Sequence, residues 1–200
     1  MLNLGTVTPG STLTIPFETV GASGESLTMS GLATSDIKVY KGSSMTERAS
    51  ASGYTLLDTD GIDIDSDTGI HGFQIDLSDN TTAGFWTAGS DYFVVVDSIT
   101  VNSQTVRFLA AKFRIGYDGA MLDTTISGTG FTSQTVFRLS SGPAEDDALN
   151  GCPVLIHDVA SGVQVAQGII LDYTGSTKEV TLAANPTFTV ASGDNISVFR

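Results

Sequence analysis

The chain has 200 residues, 40% of them apolar and only 16% charged, and its 9 Lys and Arg stand against 22 Asp and Glu for a net charge of −13. That composition supports one large or two small packed cores and excludes a disordered chain. So acidic a balance repels phosphate backbones and anionic lipid head groups, which argues against nucleic acid and membrane surfaces as partners.

Period-2 alternation recurs between turn residues about every 8 to 12 positions, which is the pattern of an antiparallel sandwich or barrel. Leu13, Ile15 and Phe17 alternate with Thr12, Thr14 and Pro16, and the proline holds this strand to a sheet edge or to its end. Leu27 and Met29 follow, then Ile37 and Val39 with Lys38 facing out, and Lys41 to Ser44 turns the chain. Tyr54 to Asp58 and Ile62 to Ile64 are short candidates, and His71, Phe73, Ile75 and Leu77 share one face. Tyr92 to Val96 is apolar on both pleat faces and reads as a central strand. Between Val106 and Ile115 the apolar phase switches, which predicts a bulge near Arg107 to Ala110 or cover on both faces.

Gly116-Tyr117-Asp118-Gly119 marks a junction, giving a first domain over 1–116 and a smaller module over 117–200. In the second module Ala144 to Leu149 reads as one short helix, with Pro143 suited to its first turn, Glu145 and Asp146 facing the positive end of its dipole, and Asn150-Gly151 as its stop. Val154 and Ile156 share a strand face, as do Val163, Val165, Ile169, Leu171 and Tyr173, and Val180 to Val198 completes the module. The fold class expected is all-β, an antiparallel sandwich followed by a small β-module with one short helix.

Chemistry-bearing groupings are sparse. Asp58, Asp60, Asp63, Asp65 and Asp67 form the densest acidic run, and Asp63, Asp65 and Asp67 are weak candidates for Ca²⁺. The run fails as an EF-hand, because the required glycine falls one residue late at Gly69 and the twelfth position is Gln74. In extended chain the three carboxylates project from one solvated face. His71 is in phase with a buried face and His157 has only Asp158 beside it, so both read as structural histidines and no metal or cofactor is expected. Cys152 is the single cysteine and sits in an apolar strand, there is no Gly-x-Ser-x-Gly elbow, and Gly128-Thr129-Gly130 lacks the third glycine of a dinucleotide loop. The chain therefore reads as non-enzymatic. Tyr40, Phe85 and Trp86 stand on apparent outer faces or in the loop NTTAGFWTAGS, as lids over the core or as interface anchors.

The segment from Ile15 to Val96, together with AAKFRI, resembles a module of tailed-bacteriophage virion proteins; IKVYKGSSMTERA and TGIHGFQIDLSDNTTAGFW carry the likeness. FRLSSGPAEDDALNGCPVLIHDV and GIILDYTGSTKEVTLAANPTFTV are similar to a second module appended to tail, baseplate or fibre-associated proteins. The resemblance implies an immunoglobulin-like or related sandwich, a structural role in the tail, neck or adsorption apparatus, and other virion proteins and copies of itself as partners in a homo-oligomer. It places the product in the virion after synthesis in the host cytoplasm, which agrees with an N-terminus, MLNLGTVTPG, that lacks a basic and then apolar leader. The alternatives are a capsid decoration protein and a receptor or glycan-binding module using Trp86, Tyr92 or the acidic run with Ca²⁺.

Overall fold

The alternating segments become 15 strands and two single turns of 3-10 helix in the computed structural model, which describes Met1–Arg200. They group into two units. The first comprises Met1–Gly5, Ser11–Thr82 and Asp91–Phe113, and the second Thr6–Gly10, Ala83–Ser90 and Arg114–Arg200. The second unit thus takes two short stretches from upstream of the Gly116 junction, which hydrogen bonds distant in sequence stitch in: Gly116 N–H donates to Val7 at 2.9 Å and Gly89 N–H to Ile115 at 2.8 Å.

The first unit is built from β1 (Leu2–Val7), β2 (Thr12–Glu18), β3 (Met29–Ser30), β4 (Ile37–Lys41), β5 (Thr46–Glu47), β6 (Tyr54–Leu56), β7 (Ile70–Asp76), β8 (Asp91–Val101) and β9 (Gln104–Ile115), of which the last two residues of β1 and of β9 fall in the second unit. One sheet has the order β1-β9-β8-β4-β5 with β3 added beside β8, and a second has the order β2-β7-β6. The sheets meet through side chains such as Phe17 of β2, whose ring lies 5.3 Å from Phe108 of β9 and 6.0 Å from Phe73 of β7. Ile15, Phe73, Ile75, Tyr92, Val94, Val96 and Ile99 are wholly buried between them. Each such side chain contributes about 1.5–3 kcal/mol over its exposed state.

Pro16 sits on β2, an outermost strand, opposite Gly72, where its missing N–H breaks no ladder on the open side. β8 is central, as its two-faced apolar run predicts. It joins β9 through Asn102 and Ser103, both at positive φ (47° and 64°), a combination that a tight two-residue hairpin turn of type I′ requires. Ser98, at φ 62°, re-phases β8 so that Val96 and Ile99 both point inward, and in β9 the switch falls where Ala110 and Ala111 are both buried.

The second unit holds β10 (Leu122–Thr125), β11 (Val136–Arg138), β12 (Pro153–His157), β13 (Val165–Thr174), β14 (Glu179–Leu182) and β15 (Asn195–Val198), in the order β10-β15-β12-β13-β14-β11. An antiparallel bridge between Ile126 and Leu139, with hydrogen bonds from Ser127 to Arg138 (2.8 Å) and Ser140 to Thr125 (2.9 Å), joins the two outer strands. The sheet closes on itself as a six-stranded antiparallel barrel, which leaves no open edge. Phe137, Leu149, Val154, Ile156, Tyr173 and Ile196 fill it, with Cys152 packed half-exposed against them.

Two expectations are corrected here. Ala144 to Leu149 is not a helix but a run of turns: Asp147 adopts φ 61°, its N–H donates to Tyr173 at 2.9 Å, and the Asp146 carboxylate accepts from Gly175 N–H. Long-range partners take the groups a helix would have paired internally. Secondly, Val165, Ile169 and Leu171 lie exposed on the outside of the barrel, Val163 is exposed in the bend before β13 and not on the strand, and Tyr173 is buried. A bulge between Ile170 and Asp172 shifts the register by one residue, and because side chains alternate faces, that single extra residue turns both Ile170 and Tyr173 inward.

Candidate functional site

The acidic run folds as a coil of tight turns instead of the extended strand expected of it. Asp58, Thr59, Asp63, Asp65 and Ser66 all take positive φ, and Ile64–Ser66 forms one 3-10 turn. Three of the five carboxylates are spent on backbone donors. Asp58 accepts from Asp65 N–H at 2.7 Å, Asp60 from Ile62 N–H at 2.9 Å and Asp63 from Gly69 N–H at 2.7 Å. Hydrogen bonds from Thr28 and Gly69 hold the Asp63 carboxyl below the usual range. Asp63, Asp65 and Asp67 do not converge, and no group of three or more His, Cys, Asp or Glu could hold a metal ion.

Both histidines are buried in the body of their units. His71 is wholly enclosed, with Nε2 2.7 Å from the Thr19 hydroxyl and Nδ1 3.2 Å from the Asp63 N–H. Because Thr19 gives its own proton to the Leu27 carbonyl, Nε2–H is the donor and Nδ1 the acceptor, so the ring is neutral. Burial lowers its pKa by more than Asp63 and the Leu27 carbonyl raise it. His157 donates Nε2–H to the Gly162 carbonyl at 3.1 Å, and its Nδ1 is enclosed without a hydrogen-bond partner. Burial lowers its pKa too, against the Gly162 bond and the Asp158 charge.

The aromatic candidates divide. Phe85 and Trp86 are not surface anchors: they are 6% and 4% exposed and pack edge to face with ring centres 4.8 Å apart. Their loop is tied down by Ala88 N–H, which donates to the buried Asn195 side chain at 2.7 Å. The alternation that makes a strand legible is absent from such a loop, so its burial rests on these distant partners. Tyr40 stays half-exposed on the outer face of β4, directly across from Phe93 of β8 and Glu47 of β5. Burial and the neighbouring Glu47 raise its pKa.

Around Tyr40 lies the more structured of two open faces. Lys38 pairs with Glu47 at 3.3 Å, and Arg107 grips Asp97 through two bonds of 2.6 and 2.9 Å. The bonds from Arg107 and Ser98 hold the Asp97 carboxyl down, and Asp97 in turn holds Arg107 up. The other face is the barrel wall of Pro153, Leu155, Gln167, Ile169 and Phe199, a shallow apolar depression without a charged group. Sequence alternation marked neither face as open, since it separates two sides of a strand without saying which is covered.

These features define an all-β protein of two units whose polar side chains serve the fold and whose candidate sites are sheet faces. No protein-family model matches the chain, and no curated protein or solved structure is similar to it.

Proposed function

We propose that the chain is a non-enzymatic structural protein of a tailed-bacteriophage virion, belonging to the tail, neck or adsorption apparatus, where it docks on other virion proteins and on copies of itself. The observation that carries this reading is how the titratable side chains are used. Asp58, Asp60, Asp63, Asp146 and Asp194 each accept backbone N–H groups of turns, and both histidines are locked into neutral hydrogen-bonded positions. Groups so engaged support loops and are not poised for proton transfer. What remains open to a partner is broad sheet surface, which suits docking between proteins better than enclosure of a small substrate.

Immunogold electron microscopy of phage particles that carry this chain tests the assignment. Label on the tail or neck supports it. Label spread over the head replaces it with a decoration role, and particles that stay unlabelled overturn a virion role.

A further inference from the structure

We propose that the outer face of the β9-β8-β4-β5 sheet is a self-association surface, on which a second copy of this chain packs about a two-fold axis. Across the face runs a row of four charged side chains that alternate in sign from strand to strand, Arg107 on β9, Asp97 on β8, Lys38 on β4 and Glu47 on β5, while Asp91, Lys112 and Arg114 lie outside the row toward the other end of the same strands. The four are connected. Arg107 and Asp97 are paired at 2.6 Å, Lys38 and Glu47 at 3.3 Å, and the Lys38 charge also lowers the pKa of Asp97 across the gap between the pairs. Beside the row, Tyr40, Phe93, Val95 and Leu109 are only half-buried, so there is apolar surface left to cover.

The order of the charges selects the partner. From β9 to β5 the row reads plus, minus, plus, minus. A two-fold axis lying in the interface and crossing the row at its midpoint lays that row against its own reverse, minus, plus, minus, plus. Every charge then faces its opposite: Arg107 meets Glu47 of the second copy, and Asp97 meets Lys38. An isologous contact needs a surface that is complementary to itself, and this row is. The row is also neutral in sum on a chain of net charge −13, so two copies can approach through it with less repulsion than their overall charge imposes. The inference concerns the isolated chain and does not depend on a virion role.

Sedimentation equilibrium of the full chain tests it, using Arg107→Glu and Glu47→Arg. Arg107 is 68% exposed and Glu47 44%, so both variants keep the fold, which their melting temperatures verify. Wild type is expected to dimerise, with an affinity that falls as salt rises. Each variant alone places like charges opposite one another at both ends of the row and should weaken dimerisation by roughly tenfold or more. An equimolar mixture of the two variants restores an opposite charge at all four positions and should recover the dimer. A wild type that stays monomeric at every concentration overturns the proposal. So does a dimer unaffected by either variant, which would place the contact elsewhere, as on the barrel wall, and so does a mixture that fails to recover.

Discussion

Arg48 and Asp79, 31 residues apart in the chain, form an ion pair in which the Arg48 side chain is wholly enclosed. The guanidinium also donates to the carbonyls of Ser50 (2.6 Å), Ser52 (2.7 Å) and Asp79 (3.2 Å), and lies 5.3 Å from the centre of the Tyr54 ring. One cation thereby ties the loop before β6 to the loop after β7. Burial pushes the Asp79 carboxyl up, but hydrogen bonds from Ser52, Thr81 and Arg48 outweigh it and hold the group below its usual range.

Removing one partner of such a pair leaves the other charge and several carbonyls without their donor. Arg48→Met is expected to lower stability by about 3 kcal/mol, measured from denaturant midpoints. Adding Asp79→Ala to it should cost less than the sum of the two single changes, because the residues share one network. Strict additivity would show that the pair is not coupled.

The histidines set a pH dependence. Both have folded-state values lowered from 6.5 by burial, so the unfolded chain binds more protons than the folded one just below neutrality. Stability should be fully present above about pH 6.5 and decline as pH falls from there toward the folded values. Asp194, whose carboxyl is raised by burial, acts in the opposite sense at lower pH. Melting curves between pH 8 and pH 5 for wild type and for His71→Gln with His157→Gln separate the two, since the upper part of the decline should vanish in the variant.

Gly10 is fixed by its surroundings. It has φ 72°, and a Cβ there would stand 2.3 Å from the Gly162 carbonyl oxygen and 2.7 Å from His157 Nε2. Left-handed backbone alone costs an L-residue about 1–2 kcal/mol, and the clash adds to it, so Gly10→Ala should destabilise by at least about 2 kcal/mol. Gly5, with φ 66° and no atom within 4 Å of a Cβ, is the control: Gly5→Ala should lose only the backbone share.

Neighbouring positions across the β13 bulge should respond in opposite ways. Ile170 is 1% exposed and Leu171 64%. Ile170→Ala is expected to cost about 2–5 kcal/mol through the lost contacts and the void left behind, whereas Leu171→Ala should stay within about 0.5 kcal/mol of wild type. Equal losses would place Leu171 in a packed environment.

Trp86 is the single tryptophan, so its fluorescence reports one site. At 4% exposure it should resist quenching by acrylamide and iodide in the folded protein and become accessible on unfolding. Strong quenching of the native state would contradict a buried Trp86.

The sequence by itself determined the all-β class, the edge position of the Pro16 strand, the central place of Tyr92 to Val96 and the phase change before Phe113. These follow from local rules: side chains alternate along a strand, a proline lacks an N–H, and a long apolar run favours a central strand; the cover expected on the second face of that run is absent, since Phe93 and Val95 stay half-buried. Asn102 is a further local sign, since asparagine tolerates the positive φ that a type I′ hairpin turn requires, whereas Ser103 takes its positive φ without such a preference. Only the tertiary structure decided that Phe85 and Trp86 are buried, that Asp58, Asp60 and Asp63 tie turns together, and that Ala144 to Leu149 forgoes a helix. In each case partners far along the chain, such as Asn195, Thr28 and Tyr173, supply hydrogen bonds or cover that no local pattern encodes. The outward turn of Val165, Ile169 and Leu171 has the same origin, since alternation fixes which residues share a face and barrel closure fixes which face is inside.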